Sequence, residues 1–123
     1  MTPHEDSASR EALIRELYAA FNRRDIERVL AALHPDVAWP NGWEGGHVRG
    51  QAGVRDYWGR QWADIDPIVT PTAVAEEADG RVRVTVDSVV RDRAGRVLSR
   101  GTVAHIYRFE DGLVRDLEIE VSA

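Results

Sequence analysis

The chain has 123 residues, the size of one domain, and is 43% apolar and 30% charged. That composition excludes a disordered polymer and leaves enough apolar material for a real core. The formal charge is −5, from 16 basic and 21 acidic residues, which argues against a nucleic-acid surface. Every basic residue is Arg and no cysteine occurs, so lysine Schiff bases, disulfides, thiolate nucleophiles and zinc–thiolate sites are excluded.

Met1 to Arg10 is polar and acidic, without the apolar stretch of a signal peptide. No run approaches the roughly 18 apolar residues of a membrane helix. The expectation is a single domain over 1–123, cytoplasmic, with residues 1–8 a flexible tail and neither membrane nor nucleic acid as partner.

The first half reads as helices. Leu13, Leu17 and Phe21 recur every four residues between Ser9 and Asn22, with Ile14 and Tyr18 beside them, and Ser9 is in place to cap that helix. Asp25 suits the N-cap of a second, short helix with Ile26, Val29, Leu30 and Leu33 on its apolar face, stopped by Pro35. An extended piece over Asp36–Asn41 runs into a loop marked by Gly42, Gly45, Gly46 and Gly50. A third helix is predicted over Gln51–Asp64, with Val54, Tyr57, Trp58, Gln61 and Trp62 at helical spacing.

The second half changes to period two. Pro67 and Pro71 punctuate an extended stretch that reaches the turn at Asp79-Gly80. Strands are predicted over Arg81–Arg91, Val97–Phe109 and Leu113–Val121. A bulged turn at Asp92–Gly95 and a two-residue turn at Asp111-Gly112 join them. Helices followed by a strand meander read as α+β.

This order of elements, carried by "LYAAFNRRDIERVLAALHPDVAWPN", "GQAGVRDYWGRQW" and "HIYRFEDGLVRDLEI", resembles the nuclear transport factor 2-like superfamily. Its enzymatic branches include SnoaL-like polyketide cyclases, ketosteroid isomerase and limonene epoxide hydrolase. The resemblance implies a cone-shaped, curved, mainly antiparallel sheet with three N-terminal-half helices packed on its concave face (an α+β barrel) around a pocket. Set beside the isomerase, the general-base Asp falls on Asn41. The oxyanion Tyr falls on Leu17, with Tyr18 one step round, and the protonated Asp falls on His105. Asn cannot take a proton at neutral pH and Leu cannot donate a hydrogen bond, so that mechanism is not expected here. Cyclase-like members place an acidic residue on the last strand near a strand His, a role open to Glu118 or Glu120.

Turn geometry gives a provisional register. A two-residue turn at Asp111-Gly112 sets His105 opposite Glu118 and Tyr107 opposite Asp116. A bulged turn at Ala94-Gly95 brings Arg83, Thr85 and Asp87 onto the His105 face. The other face then carries Val82, Val84, Val86, Ile106, Leu117, Ile119 and Val121. Two readings stand open. Either the apolar face packs on the helices and the polar face is solvated, or the polar face lines a pocket and the apolar one pairs two copies in a homodimer. An error of one residue in a turn exchanges the faces of a strand.

On the pocket reading, His105, Asp87, Glu118 and Asn41 are the candidate catalytic residues, with Glu118 raising the pKa of His105. Trp39, Tyr57, Trp58 and Tyr107 are candidate substrate walls, and Trp43 joins Trp39 and Asn41 near the end of the first strand. Each has a plainer alternative: an ordinary ion pair, a turn residue or core aromatics. No phosphate loop, nucleophile elbow or metal-ligand spacing is present, and no cofactor is expected. Function stays open between two classes: a cofactor-independent isomerase, cyclase or hydrolase for a small apolar cyclic or carbonyl compound, and a non-catalytic module binding such a ligand.

Overall fold

The structure is a computed structural model and describes residues 3–41 and 45–121, with residues 3–8 described by their backbone alone. Helix α1 spans Pro3–Asn22. A proline is well placed in a first turn, where its missing N–H breaks no bond. Residues 3–8, expected as a tail, therefore belong to α1, and Ser9 lies inside the helix rather than at its cap. Ile14, Leu17, Tyr18 and Ala20 form its buried face.

The end of α1 is a Schellman turn. Asp25 N–H donates to Ala20 O at 2.8 Å and Arg24 N–H to Phe21 O at 3.0 Å. Arg24 is left-handed at φ 63°, a conformation that costs a non-glycine residue on the order of 1 kcal/mol. Its side chain offsets that cost. The guanidinium donates to Phe21 O at 3.1 Å and Pro67 O at 2.8 Å, pairs with Asp66, and lies over the Phe21 and Trp62 rings.

Helix α2, Ile26–Leu30, starts as predicted at Asp25, whose carboxylate accepts from Arg28 N–H at 3.3 Å. It ends before Pro35, which lies within strand β1, Leu33–Pro40. Strand β2, His47–Arg49, occupies part of the glycine-marked segment read as loop. Helix α3 follows over Gly50–Asp64, anchored to β1 where Gln51 Nε2 donates to Leu33 O at 2.9 Å. Trp43 lies outside the described residues.

Strands β3 (Ile65–Glu76), β4 (Val82–Asp92), β5 (Val97–Glu110) and β6 (Leu113–Val121) complete a six-stranded sheet in the order β2-β1-β6-β5-β4-β3. All neighbours are antiparallel except β1 and β6. The fold is the expected α+β architecture, with a curved sheet that stays open rather than closing. Pro67 and Pro71 sit on β3, an edge strand, where a missing donor breaks no ladder. Asn22 covers that edge: Nδ2 donates to Val69 O at 2.7 Å and Oδ1 accepts from Val69 N–H at 3.0 Å.

Both hairpin turns form where predicted. Asp111 and Gly112 have φ of 55° and 77°, the two left-handed positions of a type I′ turn. Gly95 (φ 92°) closes the other, with Gly95 N–H donating to Asp92 O at 3.0 Å. Beyond each turn, however, the ladder takes in one extra residue. Arg91 pairs with Val97 but Val90 with Ser99, which leaves Leu98 as a bulge. Phe109 pairs with Val114 but Arg108 with Asp116, which leaves Arg115 as another. Each bulge shifts the pairing by one residue, and a one-residue shift exchanges faces.

His105 therefore lies opposite Val84 and Ile119, not opposite Arg83 and Glu118. Val82, Val84, Val86 and Leu117 sit under the helices, all at most 4% exposed. Ile106 is on the other side, opposite Arg83 and Glu118. The apolar exterior expected to pair two copies is instead a charged lattice. There Arg83 bonds Glu77 and Glu120, each at 2.6 Å, and Arg108 pairs with Asp116.

These faces predict opposite outcomes for two neighbouring substitutions. Val84→Asp should lower the unfolding free energy by more than about 3 kcal/mol, because it strands a carboxylate in the core. Asp87→Val should shift it by no more than about 0.5–1 kcal/mol, since the residue is exposed. Urea unfolding of both variants checks the register, and the reverse ranking would overturn it.

Candidate functional site

A cavity of about 370 Å³ lies between the concave face of the sheet and the helices. Its walls are mainly aromatic and aliphatic: Leu17 and Phe21 from α1, Tyr57 and Trp58 from α3, Trp39 from β1 and Val69 from β3. The rings brace one another edge to face, with centroids 5.3 Å apart for Trp39–Trp58 and for Phe21–Trp58, a favoured aromatic geometry. Gln61, Ser88 and Ser99 add polar groups. Among the described walls there is no Asp, Glu or Arg.

The remaining polar groups meet at one place. Tyr18 is on the buried face of α1, and His105 and Tyr107 point inward from alternate positions of β5. The Tyr107 hydroxyl donates to the Tyr18 hydroxyl at 2.8 Å, and Tyr18 lies 2.7 Å from His105 Nδ1. A hydroxyl has one proton. With Tyr18 accepting from Tyr107, its one proton has Nδ1 as the adjacent acceptor; on this assignment the neutral imidazole carries its proton on Nε2. The rings of Tyr18 and His105 are stacked at 5.8 Å.

Burial sets the charge state of all three. Desolvation lowers the pKa of His105 to about 4, so the ring is neutral at physiological pH. Desolvation raises the pKa of Tyr18, with contributions from its charge interaction and hydrogen bond with Tyr107. Desolvation also raises that of Tyr107, against a smaller lowering by its bond to Tyr18. Neither phenol ionises near neutrality. The array is a chain of donors ending in Nε2–H, able to polarise an acceptor oxygen and to stabilise negative charge developing on it. Among the described residues no group of three or more His, Cys, Asp or Glu is placed to hold a metal. No helix among them is long and apolar enough to cross a membrane.

The family model of the SnoaL-like domain matches residues 14–117. The chain is a SnoaL-like domain of the nuclear transport factor 2-like superfamily. Solved structures agree. A nuclear transport factor 2-like protein of unknown function from Burkholderia pseudomallei is 29% identical, with a TM-score of 0.79 over 92% of this chain and 90% of that one. TerC, co-crystallised with polyporic acid, is 28% identical with a TM-score of 0.78 over 92% and 91%. A Mycobacterium tuberculosis protein in complex with estradiol-17β-hemisuccinate shares the fold at 16% identity, with a TM-score of 0.75 over 88% and 89%. A comparison with curated proteins finds no match.

Within this SnoaL-like domain, His105, Tyr107, Trp39, Tyr57 and Trp58 all line the cavity. Asn41 does not. It is 6% exposed and lines a second hollow, with its backbone N–H bonded to Gly46 O at 2.9 Å. Asp87 is exposed on the outer face, where Thr102 Oγ1 donates to it at 3.2 Å. Glu118 is also exposed, 3.5 Å from Arg81, and opposes Ile106. The bulges at Leu98 and Arg115 remove both carboxylates from the His105 face. No Glu118–His105 dyad forms, and the pKa of His105 moves down rather than up. The residue the sequence reading passed over is Tyr18. Leu17 is a wall, while Tyr18 supplies the hydroxyl that the isomerase comparison counted as lost. Its place four residues after Ile14, on the same buried stripe, was the available signal.

The depressed pKa gives a signed prediction. The stability contributed by a neutral His105 is complete above the unfolded-chain value of 6.5 and is lost as pH falls towards about 4. The loss should be on the order of 3 kcal/mol. Urea unfolding across that range should show this slope in the wild type and not in His105→Gln. In NMR titration His105 should stay neutral to near pH 4, and Glu118→Gln should leave its curve in place. A midpoint above 6.5 would overturn the assignment.

Proposed function

We propose that this SnoaL-like domain binds a small, largely apolar ring compound bearing a carbonyl or equivalent acceptor oxygen, with that oxygen hydrogen-bonded to His105 Nε2–H. The observation that carries the reading is the Tyr107–Tyr18–His105 hydrogen-bond chain within a mainly aromatic and aliphatic cavity. The volume of about 370 Å³ falls within the range of small-molecule pockets. TerC, 28% identical, was co-crystallised with polyporic acid, which supports a small-molecule occupant.

As an enzyme, the domain would run an isomerisation or ring closure without a cofactor. His105 would act as the electrophile that holds the enolate or oxyanion form of the substrate, as Tyr18 donates to Nδ1 and sharpens Nε2–H as a donor. A second reading, non-catalytic binding, rests on a specific observation. No described cavity wall carries a carboxylate to take up a proton, so carboxylate-based proton abstraction has no agent there.

Trp39 and Trp58 line the cavity, so quenching of tryptophan fluorescence reports binding. A tricyclic ketone should bind about tenfold more tightly than its parent hydrocarbon, the difference made by one well-placed hydrogen bond. His105→Phe should abolish that preference while retaining hydrocarbon binding. Equal affinities in the wild type would refute the role of His105. Mass spectrometry of ketones and lactones incubated with wild type and His105→Phe separates the two readings: a His105-dependent product supports the enzyme, and its absence supports the binder.

A further inference from the structure

A second hollow, of about 600 Å³, adjoins the first. Pro40, Ser88, His105 and Ile119 line both, so the two chambers share one wall, with His105 in it. The outer chamber adds Asn41, His47, Val103, Glu118 and Val121. The inner chamber is walled by aromatic rings, whereas the outer one offers an amide and an imidazole; Glu118, opposite Ile106, carries its carboxylate on the outer face of the sheet beside Arg81. His105 Nδ1 is committed to Tyr18, which leaves Nε2 as the ring's other polar atom. Because the ring belongs to the wall that both chambers share, a donor there can serve an oxygen at the waist between them.

We infer that the ligand is a two-part molecule: an apolar ring system in the inner chamber, an acceptor oxygen at the waist against His105, and a neutral polar arm, hydroxyl- or amide-bearing, in the outer chamber beside Asn41 and His47. This rests on the binding mode proposed above. The arm is neutral for an electrostatic reason. Among its described walls the outer chamber has no Arg to pair with a carboxylate, and Glu118 at its border lies on the opposite face, matched by Arg81 at 3.5 Å, which leaves no attraction for a cation. A chain with a formal charge of −5 also disfavours an anionic ligand.

The test uses three tricyclic ketones: one without an arm, one with a hydroxyethyl arm and one with a carboxymethyl arm, the arms on the carbon next to the carbonyl. Wild type should bind the hydroxyethyl compound about tenfold more tightly than the armless one, the effect of one or two added hydrogen bonds. The carboxymethyl compound should show no gain. Val103→Trp, which fills the outer chamber, should cut the hydroxyethyl gain to less than twofold. Val103 is half-buried against the core, so a charge introduced at an exposed wall of the outer chamber gives a second variant. His47→Lys should convert the carboxymethyl compound from no gain to a gain of about tenfold. If neither arm changes affinity in wild type or His47→Lys while the armless ketone still outbinds its hydrocarbon, the two-part ligand is overturned and the His105 cavity stands. If the armless ketone and hydrocarbon bind alike, the cavity reading fails and this inference fails with it.

Discussion

The register of β5 is the constraint from which the site follows. β5 lies between β4 and β6, and each ladder contains one unmatched residue, Leu98 in β5 and Arg115 in β6. Side chains alternate faces with a period of two, so one extra residue turns every later partner over. Without the two bulges, His105 would face Arg83 and Glu118, giving a cavity wall with charges and an exterior of valines. With them, His105 faces Val84 and Ile119, and the charges pair with one another outside. Two residues that do not themselves line the cavity thus determine whether its histidine sits beside a carboxylate or in an apolar wall.

That placement decides the chemistry through the balance of desolvation and charge. A carboxylate next to an imidazole would stabilise the cation and raise its pKa. Here the hydrogen-bond partner is the Tyr18 phenol, itself bonded to Tyr107, and neither phenol ionises near neutrality. Burying an unpaired cation costs several kcal/mol, whereas a neutral hydrogen bond contributes about 1 kcal/mol. The neutral ring wins, and the phenol chain then selects its tautomer. The outcome is a donor whose protonation state is fixed across the physiological range, suited to holding an oxygen rather than to shuttling protons at neutral pH.

Much of the architecture was legible because local chemistry settles it. Asp25 caps α2, Asp111-Gly112 takes the left-handed pair of a type I′ turn, and the aromatic spacing of α3 places Tyr57 and Trp58 inward. Even the relative phase of β4 and β6 was legible: Val82, Val84 and Val86 do share a side with Leu117, Ile119 and Val121. The phase of β5 was not. Val103, His105, Tyr107 and Phe109 alternate with Thr102, Ala104, Ile106 and Arg108, and neither set is decisively more apolar. The turns alone then set the register, and a bulge beyond a turn leaves no mark in a period-two pattern. β2 escaped notice because three residues among glycines carry no periodicity. The same ambiguity misplaced Asp87 and Glu118, whereas the cavity aromatics, read from helix spacing and from the family resemblance, were found.

The cavity also has to resist its own walls. Rings that border a cavity make fewer protein contacts than rings in a close-packed core, and the nearest apolar element would recover them by moving in. α1 is the element best placed to collapse, since Leu17, Tyr18 and Phe21 all face the space. Its C-terminal end is held by directional polar bonds instead: Asn22 grips both backbone groups of Val69, and Arg24 reaches Pro67 O and Asp66 while lying over Phe21 and Trp62. Midway along the helix, Tyr18 is held off the sheet by the hydrogen bonds to Tyr107 and His105. Hydrogen bonds have a required length, whereas apolar contact has only a preference for more area. A helix suspended on such bonds can be rigid and incompletely packed at once. A ligand that supplies the missing contacts then stabilises the fold by the same interactions through which it binds.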